Sequence, residues 1–346
     1  MIAAISIAVE MLYRPNTRWT WIFFLSIFLE AVVLIILEIR TLYLEFMSSV
    51  ADIAEDVTSA RVAPTFFALV TLGLLYQLIL VYDTLAHHNS IQVLGLSIYS
   101  ATLCIYNGLQ LTQVRDAYGI LYDNSAIDPS TAQVILNLAI TIIAVTAVST
   151  IWTIFSAWKL SGEFAWIIFH KVEADITMQR RYVYFELLIS ILKFDGFYFI
   201  GFLVQLVTVT TVRSDAEFAA TIAFIPFSCS LLFITASVVR HERRWGTISV
   251  CALHCALEGF FIFKITRLYS PETFGDYLPA RRSLILFGVM AIILSNATMA
   301  MIILCSQNFH QGLRPYITGE REAFMLGEGF EMQLYEGYSP MERGIS

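Results

Sequence analysis

The sequence predicts an all-α fold: a polytopic membrane bundle of about eight helices, followed by a short acidic tail. Three observations carry that prediction. Hydrophobic residues make up 58% of the 346-residue chain and charged residues 14%, against the roughly 25% charge of a soluble domain. Mean hydropathy is +0.70. The apolar residues also fall into runs of the length that crosses a bilayer, about 20 residues, joined by short connectors. With lipid as the solvent for most of the chain, no length is left for a large soluble domain.

The same composition excludes several function classes. A net charge of −7 with no dense basic cluster does not suit nucleic acid. The five cysteines lie in or at the ends of apolar runs, so a disulfide framework is not expected. There is no nucleophile elbow, HExxH, P-loop or glycine-rich dinucleotide fingerprint, which points to a non-enzymatic protein without a cofactor. The N-terminus has no basic n-region and Glu10 interrupts its first apolar run, so no cleavable signal peptide is expected.

Residues 1–18 precede the first span, 19–39. Arg14 and Arg18 stand before it, Trp19 and Trp21 mark the interface, and Glu38 and Arg40 close it, the usual flanks of a membrane helix. Glu30 lies inside. An acidic loop leads to span two, 62–85, with Pro64 in its first turn, where a missing N–H costs least. The connector His87-His88-Asn89-Ser90 is so short that span three, 91–114, must return antiparallel as a helical hairpin. The adjacent histidines point apart, which suits an interfacial polar pair better than a metal site. The next loop spaces Asp116, Asp123 and Asp128 without the glycine and terminal glutamate of a calcium loop.

Span four is 132–158. Between Lys159 and Arg181, Trp166, Ile167, Ile168 and Val172 alternate with Lys171, Arg180 and other polar residues, the pattern of an amphipathic helix lying on the membrane surface. Span five is 182–212. Span six, 218–239, contains Pro226, an expected kink. A basic connector, 240–245, precedes span seven, 247–269, and span eight is 283–305. Asn296-Ala297-Thr298 has the form of a glycosylation sequon but sits inside span eight, out of the enzyme's reach. The acidic tail, 306–346, is expected to be disordered. Eight spans put both termini on one side. That side holds the larger share of Lys and Arg, including the 159–181 and 240–245 segments, so both termini are expected in the cytoplasm.

Span five holds Glu186, Lys193 and Asp195 within an apolar run. Charges at that depth are costly and have a partner or a purpose. Glu186 and Lys193, seven residues apart, share a helix face with Ser190, and Gly201 lies further along it. Asp195 points about 200° away from Lys193, so the two do not pair within the helix. With Glu30, Glu258 and Lys264 they form a candidate intramembrane polar cluster, and Gln77, Asn107 and Asn296 are further candidate partners. Such groups either hold helices together or line a path for ions, protons or solutes.

In span seven, Cys251, His254, Cys255 and Glu258 fall on one face. The first three have a spacing that zinc or copper accepts. Cysteine is equally a small buried residue, and no second paired motif accompanies them, so no metal is expected. In the tail, Tyr338-Ser339-Pro340-Met341 has the form of a sorting signal read by adaptor proteins, Tyr338 and Met341 being its anchors. The expected partners are thus the lipid bilayer and, at the tail, adaptor or trafficking proteins. The sequence sets no oligomeric state.

Several stretches together resemble a family of fungal Golgi apparatus multi-pass membrane proteins. They include Gly162-Glu163-Phe164-Ala165-Trp166, Ala174-Asp175, Met178, and Leu192-Lys193-Phe194-Asp195 through Gly201-Phe202 and Gln205. Also similar are Tyr76-Gln77-Leu78, Asp83 and Asn89-Ser90-Ile91-Gln92, then Phe263-Lys264 with Arg267, and Cys305 with Asn308-Phe309. The resemblance covers most of residues 19 to 314. Gly196 and Tyr198 depart from it, since phenylalanines are expected there. It implies a multi-pass protein of the secretory pathway and brings no reaction, ligand or catalytic residue with it. The leading expectation is a Golgi membrane protein serving trafficking or membrane organisation. One rival is a carrier using Glu186, Lys193, Asp195 and Glu258; another is a seven-helix-type receptor with one extra span.

Overall fold

The computed structural model describes residues 17–48, 58–123, 129–171, 176–210, 215–270 and 280–309. Among them there are eight helices and no strand: α1 Arg18–Ser48, α2 Thr58–His87, α3 Ser90–Asp123, α4 Pro129–Lys171, α5 Ile176–Thr210, α6 Asp215–Arg240, α7 Arg244–Arg267 and α8 Arg281–Gln307. Lipid offers the backbone no hydrogen bonds, so an apolar chain satisfies its own groups by forming helices.

The helices alternate in direction. At one end, Thr17 Oγ1 donates to Glu163 Oε2 (3.0 Å) and Ser90 Oγ to the Ser161 carbonyl (3.0 Å). At the other end, Thr65 meets Thr208 (3.3 Å) and Arg282 Nη1 donates to Thr112 Oγ1 (2.9 Å). Eight alternating helices return the chain to the side where α1 begins.

Seven of the eight are long and apolar enough to cross a membrane. The exception is α3, expected as span three. Its lower hydropathy has a physical reason: Gln92, Ser100 and Asn107 are buried and spend their polarity on neighbouring helices. Ser100 Oγ accepts from Gln77 Nε2 (2.9 Å) and Asn107 Nδ2 donates to Thr146 Oγ1 (2.9 Å). Its two ends nevertheless lie at opposite ends of the bundle, at Ser90 and Thr112.

Helix α5 is the centre. It packs against α2, α3, α6 and α8, and Leu188, Phe199, Phe202, Leu203 and Leu206 are wholly buried. The peripheral helices present apolar side chains outward: Val148, Ile151 and Phe233 are 70%, 69% and 78% exposed, as lipid-facing residues should be.

The hairpin between α2 and α3 is as tight as its sequence demands. His88 takes a left-handed φ of 52°. Its N–H reaches the Leu85 carbonyl (3.4 Å) while Asn89 N–H reaches Thr84 (3.2 Å), the Schellman pattern. Asn89 then caps α3: Oδ1 accepts from the N–H groups of Ile91 and Gln92, each at 3.0 Å. Its Nδ2 also donates to Ser190 Oγ (3.1 Å) on α5. Asn89→Ala removes both functions and is expected to lower stability by about 1–3 kcal/mol. Asn89→Asp keeps the cap and should recover part of the loss in a thermal melt.

The segment from Lys159 onward corrects a sequence expectation. It does not lie on the membrane surface as a separate helix; α4 continues unbroken to Lys171. Leu160 and Phe164 are buried, with Phe164 edge-on to His88 at 5.2 Å. No proline interrupts the register, and Gly162 alone does not end a helix. This half of the expected loop therefore packs on the hairpin end of the bundle.

Candidate functional site

The charges of α5 are tied to other helices rather than to each other. Lys193 Nζ makes an ion pair with Asp83 Oδ2 on α2 and donates to Gln92 Oε1 on α3 (3.1 Å). Gln92 Nε2 closes the triangle by donating to the same Asp83 Oδ2 (2.8 Å) and to the Leu80 carbonyl (3.3 Å). The Lys193 and Asp83 side chains are 30% and 27% exposed, so the triad sits at the inner edge of the hairpin end. Tyr76 Oη donates to the Lys193 carbonyl at 2.5 Å, a second tie between α2 and α5. Ser190, one turn earlier, holds Asn89 and bonds the Glu186 carbonyl (2.8 Å).

Asp195 faces the other way, as its angle from Lys193 requires. It is wholly buried, and its Oδ2 accepts from Thr298 Oγ1 on α8 at 2.5 Å. Its Oδ1 has no hydrogen-bond partner among the described residues. Buried polar atoms without partners also occur nearby in sequence on the same helices: both amide atoms of Gln205 on α5 and Ser295 Oγ on α8. On α7, His254 is buried, with Nε2 3.2 Å from Thr235 Oγ1 and Nδ1 unpartnered.

The two residues that depart from the resembled pattern are packed against side chains of neighbouring helices. A Cβ at Gly196 would lie 3.4 Å from Tyr76 Oη. Tyr198 is buried in an aromatic cluster with Tyr99, Phe197 and Phe287 at centroid distances of 5.4–6.2 Å.

The six charged residues expected as one polar cluster do not come together as one. Lys193 turns to α2 and α3, and Asp195 to α8. Glu258 lies at the outside of the bundle, accepting from Asn296 Nδ2 (2.5 Å). Glu30 is buried on α1, its Oε2 without a hydrogen-bond partner among the described residues. Glu186 is half-buried, and Lys264 is buried on α7 with its ammonium 5.7 Å from the Phe260 ring. Helical spacing set the angles between these groups on one helix but not which neighbour each would meet.

Nor do Cys251, His254 and Cys255 form a metal centre. His254 points inward to Thr235, whereas Cys255 is exposed and touches Met299 Sδ at 3.5 Å. No group of three metal-ligating side chains occurs among the described residues. His87 turns back to the Asp83 carbonyl (2.9 Å) and His88 to Phe164, so the neighbouring rings do point apart. Tyr338 and Met341 lie outside the described residues.

Sequence reasoning missed three partners: Asp83, Gln92 and Thr298. Asp83 and Gln92 stand among the hairpin residues that carry the family resemblance, and Thr298 stands in the discounted sequon. Their signal was polarity inside a span: a carboxylate at Asp83, an amide at Gln92 and a hydroxyl at Thr298.

No family model matches the chain, and no solved structure matches it. The chain is 24% identical over 281 residues to a UPF0658 Golgi apparatus membrane protein of Schizosaccharomyces pombe, the match covering 75% of this chain and 79% of that protein. Over three quarters of its length, this chain is thus similar to a fungal Golgi apparatus membrane protein.

Proposed function

We propose that the chain is a non-enzymatic integral membrane protein of the Golgi or a neighbouring secretory membrane, serving trafficking or membrane organisation. The observation that carries this reading is the use of the α5 charges as ties between helices. Lys193 is engaged by Asp83 and Gln92, and Asp195 by Thr298. Charges engaged in this way fix helix positions and are not held ready for a passing solute. The compartment rests on the similarity to the fission-yeast protein. The excess of Lys and Arg on the hairpin side supports cytoplasmic termini. In that orientation the Tyr338–Met341 motif is open to adaptor proteins.

A carrier is the second reading, favoured by the buried polar atoms that lack partners: Asp195 Oδ1, the Gln205 amide, Ser295 Oγ and His254 Nδ1. Such atoms are where ordered water or a transported ion finds ligands. Reconstitution separates the two readings. Proton and potassium flux is measured in liposomes with wild type, Glu186→Gln, Lys193→Met, Asp195→Asn or no protein, while a fluorescent fusion is tracked against Golgi markers. The expected result is Golgi localisation with equal flux in all samples. Wild-type flux above empty liposomes that falls in Asp195→Asn would replace the scaffold with the carrier.

A further inference from the structure

The outer face formed by α7 and α8 carries a carboxyl and an amide near the middle of its helices. Glu258 lies 14 residues after Arg244 and nine before Arg267. At 1.5 Å per residue it is about 21 Å from one helix end and 14 Å from the other. Asn296 is similarly central in α8. Both therefore lie near the middle of a hydrocarbon layer roughly 30 Å thick. Asn296 is exposed there and Glu258 half-exposed. Elsewhere, exposed hydroxyls such as Thr141 and Ser230 bond back to their own helix, and the exposed amides Gln133 and Asn137 pair with each other near the start of α4 (3.4 Å). A carboxyl and an amide facing lipid at mid-depth are far more costly, and such groups normally find a protein partner.

The surroundings fit an approaching helix. Along one line of α8, Val289, Ile293, Asn296, Ala300 and Ile303 are exposed. They are spaced by four and three residues in turn, the seam of a left-handed helix pair with one asparagine at its centre. Beside it on α7, Ile248, Ala252, Cys255, Gly259 and Ile262 are exposed with the same spacing. The three central residues are small, and a Cβ at Gly259 would meet nothing within 4 Å. A ridge on α8 thus runs beside a shallow groove on α7, which lets another backbone come close.

Hydrogen-bond complementarity selects the occupant. Asn296 Nδ2 donates to Glu258 Oε1 (2.5 Å) and to the Ile292 carbonyl (2.9 Å). No hydrogen bond among the described residues uses Asn296 Oδ1. The Ile292 carbonyl belongs to a helix and can release that N–H without loss of its backbone bond. An amide offering one N–H and one free oxygen is complementary to itself across a two-fold axis. The ridge and groove repeat that self-complementarity. We propose that this face is a homodimer interface, with α8 of each copy lying beside α7 of the other and the two Asn296 amides paired at the centre.

Single-molecule photobleaching of the full-length protein in lipid vesicles tests this over a range of protein-to-lipid ratios. Wild type is expected to bleach in two steps. Asn296→Leu should weaken self-association about ten-fold or more, since it removes two interhelical hydrogen bonds. Gly259→Phe fills the groove from a position whose Cβ meets no neighbour in its own chain and should give monomers even if Asn296→Leu fails to fold. Ile151→Ala, on the lipid face of α4, should leave dimers unchanged. In a variant keeping Cys255 as its sole cysteine, a short thiol crosslinker should join two copies. Single-step bleaching of wild type at every ratio overturns the proposal, as would be expected if the occupant were a different membrane protein. Dimers indifferent to Gly259→Phe also overturn it, because contact would then lie on another face.

Discussion

Lys193→Met should lower the stability of the folded protein by about 2–4 kcal/mol, and Asp83→Leu by a similar amount. Joining the two substitutions should cost much less than their sum. The reason is asymmetry. Removing one member of the pair leaves the other ionised at the edge of an apolar layer, where an uncompensated charge costs about 3–5 kcal/mol when wholly buried. Partial exposure of both side chains brings that figure down. Removing both leaves Gln92, which keeps its bond to the Leu80 carbonyl. Tyr76 holds the backbone of α5 independently, so the cycle isolates the side chains. The measurement is thermal unfolding in detergent, followed by a thiol dye that reacts with buried Cys305 as the bundle opens. Equal and additive losses would show that the pair contributes nothing as a pair.

A larger effect is expected from the middle of α5. A Cβ at Gly201 would overlap the Phe287 ring. That ring also packs edge-on against Tyr106 at 5.4 Å and against Phe197 at 5.6 Å, so it has no free direction in which to yield. Gly201→Ala should cost about 1–3 kcal/mol, the usual penalty of overpacking, and Gly201→Leu should abolish the folded state. Gly162 is the internal control. It is helical, and a Cβ there meets nothing within 4 Å, so Gly162→Ala should stabilise by up to about 1 kcal/mol through helix propensity. Folded yield after detergent extraction and gel filtration reads all three. A normal yield for Gly201→Leu would mean that α5 and α8 pack less closely than described.

The site was less legible than the fold. Glu186, Lys193 and Asp195 stood out because charge is scarce inside apolar runs, and their relative angles followed from helical geometry. Their partners did not follow. Asp83 stood out only as part of the family resemblance, yet it is the counter-ion of Lys193. Thr298 looked like part of an irrelevant sequon, yet it is the hydrogen-bond partner of Asp195. Glu258 and Asn296 were grouped with the interior, yet they bond to each other at the outside. The 159–171 segment read as amphipathic because apolar residues alternate with charged ones. Burial of Leu160 and Phe164 against the hairpin uses that same pattern for packing on protein.

By itself the sequence determined the number of helices, the tight α2–α3 hairpin and the scarcity of polar groups within the spans. It could do so because lipid leaves the backbone no alternative to helix, so apolar length converts directly into structure. The tertiary structure decided the rotation of each helix about its own axis, and with it every pairing between helices. In water the apolar stripe shows which face is buried. In lipid the inner and outer faces are both apolar, so only the packed bundle shows that Lys193 and Asp195 face neighbouring helices while Asn296 faces out.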